Sequence, residues 1–270
     1  MAELRLGPED TLYYEWTPPS REAAPSFVFV NPITGDVSMW NARIVPALHE
    51  AGCGTLVYNF RGQAHSTYAA DTTLDDKLIV SDLIALLESV QPPKPVLAGL
   101  SIGGLYAARA VLDGTPAAGL VLINTLRRIT PRIAWMNDAS VRVMALGGPN
   151  LMKDLYFHLL VGEDYQAAHR AEFLADEPDY QPMPSDSGLF NLLTWMGSAD
   201  WDIDWSRLAL PTLVVTGTQD RVFYDAATVD ALFAQLPQGR RLDVPEAGHM
   251  LPMETPEPLI AALVEIAQTV

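Results

Sequence analysis

Residues 95–112, PVLAGLSIGGLYAARAVL, form the segment that decides the fold. The apolar run PVLAGL is typical of a strand buried on both faces, and the segment after it is typical of a helix. Ser101 lies at the join of the two, where a sharp turn needs small neighbours such as Gly99 and Gly103 in order to close. We therefore expect the helix N-terminus to direct unpaired N–H groups at negative charge that forms beside Ser101. The alternative is a glycine-rich turn in which Ser101 is a plain N-cap.

Short apolar runs alternate with amphipathic segments on both sides of this stretch. Continuous apolar runs separated by helices indicate parallel strands. Two alternating runs around Gly7-Pro8-Glu9-Asp10 indicate an N-terminal hairpin. The sequence thus predicts an α/β fold with a mostly parallel, eight-stranded sheet flanked by helices. The other strand-like runs are residues 27–31, 55–60, 119–124, 211–217 and 240–244, and the other helix-like segments are 38–50, 75–90, 225–236 and 254–267.

The alternation stops between Pro131 and Trp205, after the sixth strand-like run. This segment holds four of the six Trp and five of the nine Met residues, at helix-like spacing. A segment that cannot extend the sheet must bury its apolar side chains elsewhere, and the top of the sheet is the place we expect. The sequence therefore predicts a core of residues 1–130 and 206–270 and a helical cap, or lid, of residues 131–205.

A serine hydroxyl becomes a good nucleophile only when a base removes its proton and an acid orients that base. Among five histidines, His249 directly follows the last strand-like run, on a loop opened by Pro245 and Gly248, and it is the predicted base. His65 lies in a loop that could approach the same pocket, and its role stays open. The other three lie on a helix-like stretch or in the predicted cap: His49, His158 and His169.

Asp220 is the predicted acid because it follows the strand-like run PTLVVTG, at the carboxyl end of a strand. A carboxylate there can accept the second imidazole N–H and stabilise the imidazolium. A local turn bond or a pair with Arg221 is the alternative for Asp220. Asp225 is the rival for the role of the acid, although its position is more typical of a helix N-terminus.

Three motifs together resemble those of the α/β-hydrolases, the superfamily of esterases, lipases and C–C hydrolases, over nearly the whole chain. They are Gly-Leu-Ser-Ile-Gly, Gly-Thr-Gln-Asp after a later strand, and Ala-Gly-His before the last helix. The order Ser101, Asp220, His249 is also that of this superfamily. The resemblance implies an α/β-hydrolase fold and a catalytic triad of these three residues.

The chain departs from the common pattern of that superfamily in two loops. Where many relatives have His-Gly after the first parallel strand, this chain has Asn31-Pro32-Ile33, and residues 59–66, NFRGQAHS, replace an Asp-x-Arg-Gly-His-Gly-x-Ser loop. The resemblance implies an oxyanion hole made by the N–H of Ile102 and an N–H in the earlier loop. Pro32 has no N–H. Ile33 is therefore the expected second donor, with Asn31 bracing the loop through its side-chain amide.

The predicted cap carries more aromatic, aliphatic and thioether side chains than a thin cover needs, which favours an apolar substrate pocket. For any single residue, packing of the cap against the body is the alternative reading. Arg127, Arg128 and Arg132 cluster where the cap begins and could bind a substrate carboxylate or form ion pairs between cap and body. The predicted substrate-binding residues are Trp135, Phe157, Trp195, Met196 and Arg128.

Charge and composition exclude several classes of partner. The 17 Lys and Arg against 33 Asp and Glu give a net charge of −16, which disfavours nucleic acid and anionic membranes as partners. Cys53 is the only cysteine, so an internal disulfide framework and a thiolate metal cluster are excluded. No metal-ligand spacing or dinucleotide-binding motif occurs, and we expect no cofactor and no metal. The N-terminus lacks the apolar run of a signal peptide, and we expect a cytoplasmic protein.

The function predicted from these observations is that of a serine hydrolase acting on a small-molecule substrate, a small and largely apolar carboxylic ester. A lactone, a C–C bond beside a carbonyl and an acyl transfer would use the same donors and remain alternatives. A hydrolase-like protein that binds a ligand without turnover is the alternative from another class. The sequence leaves open whether the chain forms a homodimer.

Overall fold

Eight β-strands form a single sheet in the computed structural model, which describes residues 2–174 and 176–270. The strand order is β1-β2-β4-β3-β5-β6-β7-β8; β1 and β2 run antiparallel to their neighbours, and the pairs from β4 to β8 are parallel. The predicted α/β-hydrolase fold is confirmed. The strands are β1 (Ala2–Arg5), β2 (Thr11–Thr17), β3 (Ser26–Val30), β4 (Gly54–Tyr58), β5 (Pro95–Leu100), β6 (Gly119–Ile123), β7 (Thr212–Gly217) and β8 (Gly239–Val244).

The central strands are buried on both faces, as their continuous apolar runs predict. Alternate residues of one strand contact different clusters: Leu97 packs into one apolar cluster, and Val96 and Ala98 pack into another on the opposite face. The sheet is therefore the middle of three layers, with apolar side chains on both sides of it.

Helices cover both faces of the sheet. Leu83 of α3 and Leu105 of α4 belong to the first cluster, whereas Leu48 of α2 and Leu263 of α10 belong to the second. These helices lie between parallel strands or close the chain, as crossovers require. The helices outside the cap are α1 (Ser38–Asn41), α2 (Ile44–Glu50), α3 (Asp76–Val90), α4 (Ile102–Leu112), α8 (Ala226–Phe233), α9 (Leu251–Glu254) and α10 (Pro256–Ile266).

Two helices predicted as continuous are each split in two. The segment 38–50 forms α1 and α2, and the predicted closing helix, 254–267, is interrupted at Thr255, whose φ of −142° is not helical. Thr255 precedes Pro256, and the residue before a proline is disfavoured in the helical conformation. Pro256 then starts α10, where a missing N–H costs no intrahelical hydrogen bond.

Three helices follow the sixth strand and precede β7. They are α5 (Pro131–Leu160), α6 (Glu163–Phe173) and α7 (Gly188–Met196), and a short 3₁₀ turn covers Trp205–Arg207. We call residues 131–205 the cap segment; its separation from the core as a domain of its own stays a prediction. Gly148 breaks the helical geometry of α5 with a φ of +63°, directly before Pro149. A Cβ at Gly148 would lie 2.2 Å from the carbonyl oxygen of Gln181, so the kink needs glycine.

Within residues 2–174 and 176–270, no helix is both long and apolar enough to cross a membrane.

Candidate active site

Ser101 occupies a strained turn between β5 and α4. Its φ of 59° and ψ of −123° lie outside the regions that non-glycine residues prefer. The turn is tied to the neighbouring strand β6, because the Ser101 N–H donates to the Ile123 carbonyl at 2.8 Å. A Cβ at Gly99 would lie 2.2 Å from the backbone of Gly103, and one at Gly103 would lie 2.3 Å from the Val30 carbonyl oxygen. The two glycines are therefore a steric condition for this turn, as the sequence indicates.

His249 and Asp220 form a buried pair beside that turn, at the ends of β8 and β7. The distance from His249 Nδ1 to Asp220 Oδ2 is 2.7 Å. Asp220 Oδ1 accepts hydrogen bonds from the backbone N–H groups of Val222 and Phe223, each at 2.9 Å. Burial acts to raise the pKa of Asp220, but the interactions with His249 and these two N–H groups outweigh it and hold the pKa below its ordinary value. The pair is arranged to fix the imidazole and to stabilise its protonated form.

Asn124, which the sequence analysis did not single out, braces the loop that carries the histidine. Its Nδ2 donates to the carbonyl oxygens of Gly248 at 3.0 Å and His249 at 2.9 Å, while its Oδ1 accepts from the Gly217 N–H at 2.7 Å. The signal was available, since Asn124 directly follows β6 at the same sheet edge as Ser101.

Glu254 is a second brace on the histidine loop. Its Oε2 accepts from the N–H groups of Gly248 at 2.9 Å and Gly162 at 2.6 Å, and so ties the loop to the start of α6. Burial raises the pKa of Glu254. No sequence pattern could have identified this residue, because its partners come from two distant segments.

Ser101 Oγ does not contact the histidine in this structure. Its hydrogen bond comes from Arg127 Nη2 at 2.5 Å, and in the described part of the chain no hydrogen bond joins Ser101 to His249. Both side chains nevertheless line one cavity. Arg127 belongs to the arginine cluster at the start of the cap, and nothing in the sequence distinguishes it from its neighbours as the contact of the serine.

The two predicted oxyanion donors lie at the same cavity. Ile33 and Ile102 both line it, and within the described residues neither backbone N–H donates to another protein group. The carbonyl oxygens of Ile33 and Pro32 accept hydrogen bonds from Gln63 Nε2, at 3.1 and 2.9 Å. The loop is thus anchored through the carbonyl groups of Pro32 and Ile33, while the Ile33 N–H stays available.

The two loops that depart from the common superfamily pattern are joined by buried hydrogen bonds. Asn31 Nδ2 lies 3.0 Å from Asn59 Oδ1 and 3.0 Å from Gln63 Oε1, and Asn31 Oδ1 accepts from Trp40 Nε1 at 2.8 Å. The bracing role expected of Asn31 matches this geometry. The two departures therefore complement each other, which separate inspection of each loop could not reveal.

The cavity in front of Ser101 has a volume of ≈ 300 Å³, at the small end of ligand pockets. Its wall is mostly apolar, and the cap segment supplies about half of it. The cap residues on the wall are Met136, Ser140, Met144, Pro149, Met152, Lys153, Tyr156, Phe157, Leu160, Leu189, Leu193 and Met196.

Two of the five predicted substrate-binding residues, Phe157 and Met196, lie on this wall. Trp135, Trp195 and Arg128 do not line it and are exposed. For the two tryptophans the reason is helical phase: Met136 and Met144, spaced by a multiple of four, and Met196 line the cavity, and a residue one position away is rotated by about 100°. Arg128 lies on the loop between β6 and α5.

The rival candidates for the base and the acid lie elsewhere. His65 is exposed, and its ring centre lies 5.2 Å from that of Tyr13. Asp225 caps α8 by accepting the Thr228 N–H at 2.8 Å, as its position predicts. Neither residue is on the cavity wall. The described residues also contain no group of three or more His, Cys, Asp or Glu that could hold a metal ion.

Comparison with known proteins points to one family. Residues 27–262 match the model of the Alpha/beta hydrolase family. The chain is 27% identical to a putative carbamate hydrolase, RutD, of Variovorax paradoxus over 190 residues, which cover 69% of this chain and 70% of that protein. It is 24% identical to 3-oxoadipate enol-lactonase 2 of Acinetobacter baylyi over 242 residues, which cover 86% of this chain and 85% of that protein. Among solved structures, an alpha/beta hydrolase from a Medee basin deep-sea metagenome library superposes with a TM-score of 0.83 at 19% identity, covering 100% of this chain and 98% of that one.

Proposed function

The chain belongs to the alpha/beta hydrolase family. We propose that it is a serine hydrolase that cleaves a small, largely apolar carboxylic ester through an acyl-enzyme on Ser101. The observation that supports this most is convergence on one cavity. Ser101 and Ile102 on the turn after β5, Ile33 on the loop after β3 and His249 on the loop after β8 come from three separate segments and line the same ≈ 300 Å³ cavity. Among the described residues, the N–H groups of Ile33 and Ile102 donate to no other protein group.

The proposed reaction starts with attack of Ser101 Oγ on the acyl carbon. His249 Nε2 takes the proton from Oγ, and the N–H groups of Ile102 and Ile33 bind the oxygen that becomes negative. His249 then gives the proton to the leaving alcohol. A water molecule, deprotonated by the same imidazole, attacks the acyl-enzyme. The bond between the acyl carbon and Oγ breaks, the acid leaves, and His249 returns the proton to Oγ. Before the first step, Oγ has to turn from Arg127 towards His249.

Asp220 keeps the imidazole of His249 in the tautomer that these reaction steps need. Its hydrogen bond to Nδ1 leaves Nε2 free to accept the proton of Ser101. The lowered pKa of Asp220 keeps the carboxylate ionised when the imidazolium forms.

The names of similar proteins include scissile bonds other than a simple ester, so the bond that this protein cleaves has to be found by experiment. A carbamate hydrolase and an enol-lactonase are both among the similar proteins. Hydrolysis of a lactone, cleavage of a C–C bond beside a carbonyl and transfer of the acyl group to an alcohol would pass through the same kind of oxyanion.

The test combines labelling with a substrate panel. A fluorophosphonate probe should label the native protein at Ser101 and leave Ser101→Ala unlabelled, because only an activated serine displaces its fluoride. p-Nitrophenyl esters of increasing acyl length, assayed beside a lactone panel, then identify the preferred bond. A native protein that resists the probe and turns over no member of either panel would contradict the proposal and favour a binding protein.

A further inference from the structure

Arg127 is a buried cation without an anionic partner. Its side chain is almost closed to solvent, with 4% of the residue exposed, and no Asp or Glu oxygen of the described residues lies within 4.0 Å of it. The contrast is Arg61, which is 8% exposed and binds both oxygens of Asp82, at 2.7 and 2.5 Å. In a chain with 33 acidic residues, the lack of a carboxylate next to Arg127 calls for a functional reason.

Most of the hydrogen-bond donors of Arg127 are unused. A guanidinium has five N–H donors, and the one acceptor found for them among the described residues is Ser101 Oγ. Nε is buried and has no acceptor. The Cζ atom lies 4.1 Å from the ring centre of Trp201 and 4.3 Å from that of Phe223, so the two rings hold the group by cation–π contact without using any N–H.

The guanidinium keeps its charge despite burial. Burial lowers the pKa of Arg127 to about 10, and the charge of Asp220 acts against that change. The group is therefore cationic at neutral pH, and its loss of hydration is compensated only in part by the aromatic rings and by Asp220. An anion that enters beside Ser101 would supply the missing acceptor.

Arg127 is not itself on the cavity wall and is linked to it by its hydrogen bond to Ser101 Oγ, and among the described residues the wall offers no unpaired cation. Lys153 lines it, but its Nζ lies 3.7 Å from Asp154 Oδ1. His249 is already bound to Asp220. The remaining lining residues are apolar or uncharged, so Arg127 is the group that would distinguish an anionic from a neutral substrate.

We propose that Arg127 is the specificity-determining residue of this site and binds a free carboxylate on the acyl part of the substrate. The inference rests on the proposed function, the cleavage of an ester at Ser101, and replaces the apolar acyl end of its substrate with an anionic one. The substrate class becomes half-esters, or related acyl compounds, of short dicarboxylic acids. The carboxylate lies within a few bonds of the scissile carbonyl, because Arg127 contacts Ser101 Oγ directly and its donor opens towards the cavity when Oγ turns to His249. Its binding takes the Arg127 donors from Oγ and releases the hydroxyl to His249.

A matched pair of esters tests the charge preference. p-Nitrophenyl butyrate and mono-p-nitrophenyl succinate have acyl chains of equal length that end in a methyl and a carboxylate. The native protein should show the higher kcat/KM for the succinate. Arg127→Gln should lower the ratio of succinate to butyrate kcat/KM by roughly 10- to 100-fold, as expected for loss of a hydrogen bond between charged groups. Arg127→Lys, which retains a charge but not the planar fork, should give an intermediate ratio.

Arg128→Gln is the matched control, since Arg128 is the exposed neighbour of Arg127, and it should leave the ratio unchanged. An equal loss on both esters in Arg127→Gln, with melting temperature retained, would overturn the inference, because it would mean that Arg127 only positions or activates Ser101. A native preference for butyrate would overturn it as well.

A binding measurement separates this inference from the proposed function. Ser101→Ala cannot form an acyl-enzyme and frees the Arg127 donors, so calorimetry should detect binding of monomethyl succinate but not of methyl butyrate. The double variant Ser101→Ala/Arg127→Gln should lose that binding. If the native protein hydrolyses no ester while this Arg127-dependent binding is found, the proposed function fails and carboxylate recognition stands. If Ser101→Ala binds both compounds alike or neither, carboxylate recognition fails whatever the protein hydrolyses.

Discussion

The loops at the carboxyl edge of the sheet differ from the cap segment in the burial and hydrogen bonding of their residues. Ser101, Asp220 and His249 on the loops are all buried, and the backbone of the histidine loop donates to Glu254 and accepts from Asn124. In the cap segment, α6 has no buried residue among those described, and Trp135 is 78% exposed. The proposed chemistry therefore lies on buried, hydrogen-bonded loops, whereas the cap combines buried residues of the cavity wall, such as Met144, with large exposed side chains away from the cavity.

If this contrast is correct, changes at the loops should affect all substrates alike, and changes in the cap should depend on the substrate. Ser101→Ala tests the expectation for the loops, with the largest expected loss of activity. It should leave the fold intact and lower kcat by on the order of 10⁴ or more, as loss of a triad nucleophile does. Esterase kinetics with a melting curve as the folding control measure this, and retention of most activity would exclude Ser101 as the nucleophile.

His249→Ala should be about as damaging as Ser101→Ala, and the double variant barely worse than either. The reason is that nucleophile and base act as one unit, so their effects do not add. His65→Ala is the control from the same sheet edge, and it should be mild because His65 is exposed and outside the cavity wall. A larger loss in His65→Ala than in His249→Ala would reassign the base.

Asp220→Asn should lower kcat by roughly 10³ to 10⁴, because the amide favours the wrong imidazole tautomer. The matched control is Asp225→Asn, which keeps a helix cap at α8 and should change kcat little. Measuring both variants with the same ester decides between the two carboxylates. A mild effect at Asp220 with a severe one at Asp225 would be inconsistent with the geometry described above.

The smallest effect is expected in the cap and should depend on chain length. Phe157→Ala removes part of the cavity wall, so kcat/KM should fall more for longer acyl chains than for acetate. Each buried methylene contributes about 0.8 kcal/mol, close to fourfold. Trp195→Ala, outside the wall and 41% exposed, should show no such trend. A flat profile in Phe157→Ala would mean that the cap is only structural.

The sequence alone predicts the strands of the sheet, the insertion after its sixth strand and three candidate catalytic residues. Continuous apolar runs identify strands buried on both faces, since such a pattern has few other stable placements. The glycines around Ser101 identify the strained turn, because a Cβ at either position would clash with the backbone. Asp220 and His249 follow strands directly, and the carboxyl ends of parallel strands meet at one edge of the sheet.

Which cap residues line the cavity and which arginine contacts the serine depend on long-range packing and could not be predicted from the sequence. Composition marks the cap as apolar, but the kink at Gly148 and the phase of each helix select Phe157 and Met196 and leave Trp135 outside. Likewise, Arg127 and Arg128 have the same sequence context at the start of the cap. Trp201 and Phe223 pack around the guanidinium of Arg127, which donates to Ser101 Oγ. Local sequence encodes strand and turn preferences over a few residues, whereas these contacts join segments that are far apart in the chain.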